Sequence, residues 1–375
     1  MTRSEDLFPL LALCARAQGH AAQYEQLRQR ALKLSSWDGL PAQAQAHGLE
    51  PLLYAHLKAA HIAAPPHIRQ QLRTRAMQHA HANHVRLKAL SEILATFQSA
   101  GIRALVLKGA ALAYLVYPHL GWRVMRDLDI LVSRSEVQRT QAMLAEMGFD
   151  APPSDDKLPA KHLPVAQREV EGMRISVEIH HNLYVKGKPA TELEALYPAA
   201  IPFIIEGVTA YTLSYEDTLA HVYRHMLEGA IFKPIRLIWV ADLVSLAERF
   251  AVEIDWSRVA PCARNALALF HRLTPLSEEL LRAASIDTSG PPGHMGDHLG
   301  WDFQGWPRSS LAAQREKGYL GICRDTFYPP EWWLRLYYGL GSGLALWWGR
   351  LVRHPLHILG WASDYLVGRV KRKKA

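Results

Sequence analysis

Three carboxylates of this 375-residue chain stand among apolar neighbours that should exclude charge. Asp127 and Asp129 lie in Arg126-Asp127-Leu128-Asp129-Ile130-Leu131-Val132, and Glu178 lies in Val177-Glu178-Ile179-His180. Side chains alternate between the two faces of a strand, so Asp127 and Asp129 share a face while Leu128 and Ile130 turn into a core. By the same alternation Glu178 and His180 share a face, with Ile175, Val177 and Ile179 opposite. Adjacent carboxylates repel, and a divalent cation neutralises them. A salt bridge from Arg123 or Arg126 is the plainer remedy; burial with neither is costly. If the two strands are neighbours, three carboxylates converge on one site suited to phosphoryl chemistry.

A second feature stands upstream, in Leu107-Lys108-Gly109-Ala110-Ala111-Leu112. A strand that turns through Gly into a helix presents free backbone N–H groups and a positive dipole end, which suits phosphate. Gly109 allows close approach to the backbone and Lys108 adds charge. The spacing of a Walker A loop is absent. A simple strand-to-helix turn is the structural alternative.

Residues 1–98 read as a helical region. Leu7, Leu10, Leu11 and Cys14 recur at helical spacing, and Pro65-Pro66 opens a long helix that Gly101 closes. His79, His81 and His84 spread around that helix, as solvated side chains would. Residues 99–210 read as the core that carries the chemistry: a strand at 102–107, a helix at 110–117, a strand at 128–132 and a helix at 136–147 capped by Ser133 or Ser135. A loop containing Pro152 and Pro153 follows. A hairpin over 164–180 then turns at Glu171-Gly172.

Residues 211–375 return to helices, with a start signal at Ser214 and Asp217. His221 and His225 stand at i and i+4 on one helical face and are expected to pack or to touch substrate; two histidines alone do not make a zinc site. Asp242, inside an apolar helix over 235–247, calls for a partner such as Arg236, Arg224 or a histidine. Helices are also expected at 256–273 and 278–284, and a loop at 287–310. Residues 331–375 are rich in Trp and Tyr with interspersed Arg. They fit the core of a terminal helical pair, or a peripheral contact with a membrane surface.

The whole chain is ordinary for a globular protein, with 49% hydrophobic and 21% charged residues. The net charge of +8 favours polyanionic partners, and part of it sits in the basic end at 369–374. The basic residues are otherwise dispersed with no nucleic-acid-binding motif, so no specific nucleic acid is expected. Three scattered cysteines, Cys14, Cys262 and Cys323, make no disulfide framework and suit a reducing compartment. Glu5 and Asp6 precede the first apolar run, unlike a signal peptide. The longest uncharged apolar run, 336–349, is shorter than the roughly 17–20 residues that span a bilayer. A cytoplasmic protein is expected, membrane-peripheral if the tail meets a lipid surface.

Leu107-Lys108-Gly109-Ala110-Ala111-Leu112, Arg126-Asp127-Leu128-Asp129-Ile130-Leu131-Val132 and Val177-Glu178-Ile179-His180-His181-Asn182-Leu183 together resemble the polymerase-beta-like nucleotidyltransferase superfamily. The likeness is greatest to a bacterial group of uncharacterised nucleotidyltransferases and covers about residues 90–250. It implies an α+β fold, with a small mixed β-sheet core flanked by N-terminal and C-terminal helical regions. It also implies transfer of an NMP group from an NTP such as ATP to a small-molecule or protein acceptor. Asp127, Asp129 and Glu178 become the catalytic ligands of two magnesium ions, and the turn at Lys108, Gly109 and Ala110, with Arg123 and Arg126, becomes the nucleotide-binding part. His180 orients substrate, with His221 and His225 in support. Ala110 replaces the usual Ser or Thr, the interval from Gly109 to Asp127 is long, and the third carboxylate is Glu. A catalytically degenerate member that holds a nucleotide or a partner is therefore the alternative reading.

Overall fold

The computed structural model describes residues 7–152, 161–184, 189–230, 235–288, 320, 327–329, 331–341, 343–360 and 363. The loop from Pro153 onward, most of the expected loop at 287–310, Cys323, Trp361, the Trp332 side chain and the basic end at 369–374 lie outside the described residues.

Helices open the chain: α1 (Phe8–Leu13), α2 (Ala21–Leu32), α3 (Leu40–His47), α4 (Glu50–Ala59) and α5 (Pro66–Ser99). Pro9, Pro41, Pro51 and Pro66 stand in the first turns of α1, α3, α4 and α5, where a missing N–H costs no hydrogen bond. The 34-residue α5 is a single unbroken helix. Its early residues Ile68 and Leu72 join one apolar core, and Val85, Leu90, Ile93 and Phe97 join another. Of its histidines, His81 and His84 are exposed as expected, whereas His79 Nε2 lies 3.3 Å from Glu50 Oε1.

The sheet follows, with β1 (Ala104–Val106), α6 (Lys108–Leu115), β2 (Leu128–Val132), α7 (Val137–Glu146), β3 (Ala166–Val170) and β4 (Met173–His180). Strand order is β1-β2-β4-β3, so β2 and β4 are the interior strands. They run parallel to each other, while β1 and β3 are antiparallel edges. The fold is α+β with a small mixed sheet. Leu128, Ile130 and Val132 face the core shared with α5 and α7, and Leu131 faces a smaller cluster with Leu105, Leu107 and Leu183. Glu171 and Gly172 both adopt positive φ, +50° and +71°, as a two-residue hairpin turn requires.

A second hairpin, β5 (Ile201–Ile205) and β6 (Val208–Thr212), lies beyond the sequence reading, which assigned no strands there. Its turn, Glu206-Gly207, repeats the Glu-Gly pair and the positive φ values of the first. Thr212 Oγ1 donates to the Val106 carbonyl at 2.6 Å and ties β6 to β1.

Helices α8 (Leu193–Leu196), α9 (Tyr215–Ala230), α10 (Leu237–Arg249), α11 (Pro261–Phe270) and α12 (Glu278–Ala283) complete the well-packed part. Ser214 caps α9 as its sequence suggests, accepting from the Asp217 amide at 3.1 Å and donating to its carboxylate at 2.8 Å. The first and last helical regions do not form separate cores. Leu10, Leu52, Val244, Phe270 and Trp333 belong to one apolar cluster. Trp333 thus packs as core, stacked on Tyr337 with ring centroids 4.4 Å apart. Farther on, Leu344, Trp347, Trp348, Leu351, Leu356 and Leu359 are exposed. Among the described residues, no helix is long and apolar enough to cross a membrane.

Candidate active site

The parallel pairing of β2 with β4 sets Asp129 directly against Glu178. Register partners on adjacent strands project from the same face, so both carboxylates rise from one side of the sheet. Asp129 is 3% exposed. Its Oδ1 accepts from Lys108 Nζ at 2.8 Å and from His180 Nε2 at 2.9 Å. His180 Nε2 also lies 3.4 Å from Glu178 Oε2. His162, bridged to His180 across the strand edge, brings its Nε2 within 3.9 Å of the same Glu178 oxygen.

These contacts set the charges. Burial works to raise the Asp129 pKa, but the Lys108 ammonium and the His180 hydrogen bond outweigh it and hold the carboxyl well below its usual range. The hydrogen bond from His180 lowers Glu178 against the effect of its own burial. Lys108, whose burial would lower it, is raised by Asp129. Asp127 goes the other way: although part of the residue meets solvent, the protein packed around its carboxyl displaces water and raises it, and the nearby Asp129 charge adds to the rise.

Lys108 is placed by the backbone. The Leu107 amide donates to the Asp129 carbonyl at 2.9 Å, extending the ladder to the start of α6. Lys108 then takes φ +47°, which is uncommon for a residue with a side chain. Helix α6 begins at Lys108 rather than at position 110, and no side chain caps its first amides. A Cβ on Gly109 would come within 3.0 Å of Met125 Cγ and 3.8 Å of Arg123 Nη1, so this glycine admits the loop that leads into β2. Ala110 is buried in the sheet core.

Asp127 and Arg126 are exposed just ahead of β2. Arg123, expected beside Arg126 as a phosphate partner, is instead committed to Asp242. Its Nε and Nη2 donate to Asp242 Oδ1 and Oδ2 at 2.6 and 2.7 Å, its Nη1 donates to the Val124 carbonyl, and Tyr117 Oη donates to Asp242 Oδ1 at 2.7 Å. This corrects the partners expected for Asp242, which were Arg236, Arg224 or a histidine. A fork-shaped guanidinium meets both oxygens of a carboxylate, and a buried aspartate needs that full compensation.

His221 is buried on α9, and neither ring nitrogen has a hydrogen-bond partner among the described residues. Burial first, then the charges of Lys108, His225 and His180, push its pKa far down, so the ring is neutral. His225 packs edge-on against Trp239 and is lowered to about 3 chiefly by burial. The donor atoms of Asp129, Glu178 and His180 lie within 4.8 Å of one another, close enough for one divalent ion to touch all three. Among the described residues no other such group forms. Asp127 stands outside this trio.

Sequence reasoning did not single out His162 or Arg86, and it named Arg236 only as a possible partner of Asp242. Arg86, half-buried on α5, feels the Asp127 charge. Arg236 lies near Arg126 and Arg123, and burial together with their charge lowers it to about 10. Only the folded chain gathers these residues; their local sequence carries no signal. His162 joins them through a bridge to His180 that lengthens the sheet past β3.

A small mixed sheet with paired carboxylates on neighbouring interior strands, beside an uncapped helix start, is a nucleotidyltransferase-like core. The chain belongs to the family described as uncharacterised nucleotidyltransferase, whose profile matches residues 33–280. That span takes in the helices on both sides of the sheet. Among solved structures, the chain is similar to an antigenic nucleotidyltransferase-like protein from Paracoccidioides brasiliensis. The identity is 15% over 54% of this chain and 93% of that one, with a TM-score of 0.34. No curated protein matches the chain.

Proposed function

We propose that this protein is a magnesium-dependent nucleotidyltransferase that moves an NMP group from an NTP to a small-molecule or protein acceptor. One observation carries the reading: Asp129 and Glu178 are register partners on adjacent parallel strands, with Asp127 exposed at the end of the same sheet. Divalent ions bound there would offset the charge of the triphosphate and of the departing pyrophosphate. Asp129, Glu178 and Asp127 would hold them. Glu178 would also serve as a base for the acceptor's hydroxyl proton. The uncapped amides of Gly109 and Ala110 and the exposed Arg126 would meet phosphate oxygens. Arg123 supports the site from behind by fixing the loop that carries Asp127. His221 and His225 would border the acceptor as neutral rings.

A second reading is a degenerate member that binds a nucleotide or partner without turnover. It draws on the Lys108 ammonium seated on Asp129 and on the burial of Ala110 where the wider superfamily has a hydroxyl. Peripheral membrane contact belongs to either reading, supported by the exposed Trp347 and Trp348 beside Arg350 and Arg353.

The test is incubation with each NTP, magnesium and a cell extract, followed by pyrophosphate measurement and mass spectrometry of the products. Transfer by the wild type, and its loss in the D127A/D129A double variant with the fold retained, support the enzyme. NTP binding and pyrophosphate release that are unchanged in the double variant overturn the metal-site reading.

A further inference from the structure

We propose that the turn between α4 and α5 forms a binding site for a small amphipathic anion, a carboxylate or phosphate on a compact apolar body. The site lies apart from the clustered carboxylates of the sheet. Arg69 at its edge and Arg86, which feels the Asp127 charge, stand roughly 25 Å apart along the axis of the unbroken α5.

Shape supplies the first support. A cavity of about 420 Å3 opens at this turn, lined by both helices and the residues between them. Leu57, Ala64 and Leu72 give it a buried apolar wall, with Tyr54 and Ile62 half-buried beside them. Its size falls among small-molecule pockets, which are mostly apolar with a few placed polar groups. Ala63 and Ala64 keep it open, since a large side chain at either would occupy the space.

Charge supplies the second. Lys58, His61 and Arg69 line the cavity and are exposed, and their side chains have no ion-pair or hydrogen-bond partner among the described residues. No carboxylate is among the described residues that line it. The chain offers none locally: residues 51–91 carry six Lys or Arg and no Asp or Glu. Other surface arginines take a carboxylate one helical turn away, as Arg28 takes Glu25 and Arg139 takes Glu136. Uncompensated positive charge beside an apolar wall complements an anionic head on an apolar body.

The backbone at His61 supplies the third. The Ile62 amide donates to the Leu57 carbonyl at 2.9 Å and the His61 amide to the Lys58 carbonyl at 3.1 Å, closing α4 in a Schellman turn. The left-handed residue of such a turn is usually Gly. Here it is His61, at φ +54°. The turn needs no imidazole, and a β-carbon is disfavoured in that conformation. Its side chain instead joins Lys58 and Arg69 around the cavity, where an imidazole can meet an anion. Backbone strain of this kind gathers at ligand sites.

The probe is 1-naphthoate, followed on the full chain by ligand-observed NMR. Its neutral counterpart is 1-naphthalenemethanol, and its counterpart without an apolar body is inorganic phosphate. Wild type is compared with K58Q/R69Q, A63W and H61G, each checked for fold by circular dichroism. The expected result is binding of 1-naphthoate at about millimolar concentration, at least about 10-fold more tightly than either counterpart. K58Q/R69Q binds it about 10-fold less tightly and the alcohol as before. A63W, which fills the cavity, loses binding. H61G melts at a higher temperature yet binds several-fold less tightly. The proposal is overturned if wild type binds no 1-naphthoate at about 10 mM. It is overturned equally if the alcohol or phosphate binds as tightly, or if K58Q/R69Q and H61G bind as wild type does. Should A63W not fold, the surface pair K58Q/R69Q decides. None of these readouts involves nucleotide transfer, so this site and the carboxylate site stand or fall separately.

Discussion

Arg123 and Asp242 meet through two parallel hydrogen bonds of 2.6 and 2.7 Å, buried between the loop ahead of β2 and helix α10. They are 119 positions apart in the chain. The pair fastens the sheet that carries the carboxylates to the helical body, and Tyr117 completes it. Removing one member leaves the other charged and buried. Arg123→Ala and Asp242→Ala should each cost about 3–5 kcal/mol in urea unfolding. Arg123→Lys should recover only part of that, because an ammonium meets one oxygen at a time.

Glu178 is the carboxylate assigned to the acceptor side. Glu178→Gln should lower pyrophosphate release on the order of 100-fold while NTP binding changes little. Equal losses in binding and turnover would place Glu178 on the nucleotide instead. Single-turnover measurement at saturating NTP separates the two outcomes.

Two buried histidines of the helical body make stability depend on pH. His56 Nε2 donates to the Arg16 carbonyl at 2.8 Å, and His47 Nδ1 accepts from the Leu237 amide at 3.3 Å. Burial lowers both from 6.5 to about 4. A histidine with a depressed folded pKa contributes stability that is complete above its unfolded value and is lost as pH falls toward the folded one. Urea midpoints should therefore decline between pH 6.5 and about 4. His56→Gln should flatten that decline; a slope identical to wild type would show that His56 is not its source.

Replacing Trp347 and Trp348 together with Ala tests the tail. Both side chains are exposed, at 62% and 51%, with Arg350 and Arg353 nearby. If the tail meets a membrane, sedimentation with phosphatidylserine vesicles should drop several-fold in the double variant, while the melting temperature should hold. Equal sedimentation of both proteins would sink the membrane reading.

The carboxylate strands were legible because their apolar residues alternate cleanly. Leu128 and Ile130, and Val177 and Ile179, left Asp129, Glu178 and His180 nowhere to go but one face. Nothing in either strand, however, determines that β2 and β4 are neighbours, or that Asp129 meets Glu178 and not Ser176. That register comes from the whole sheet. The partner of Asp242 was illegible for a related reason. Several arginines had the right chemistry, and only the path of the chain between Tyr117 and β2 brings Arg123 within reach. Lys108 was read as a phosphate ligand because neither its positive φ nor its contact with Asp129, 21 positions along the chain, can be seen in sequence. The Glu206-Gly207 hairpin did carry a signal, the same dipeptide that closes the first hairpin.

Helix α5 lends its first half to the helical core and its second half to the sheet core without a break. Neither core can melt while its half of α5 stays wound against the other. The two should therefore lose structure in a single cooperative step. A substrate that tightens the sheet should raise the melting temperature of helices that it never touches.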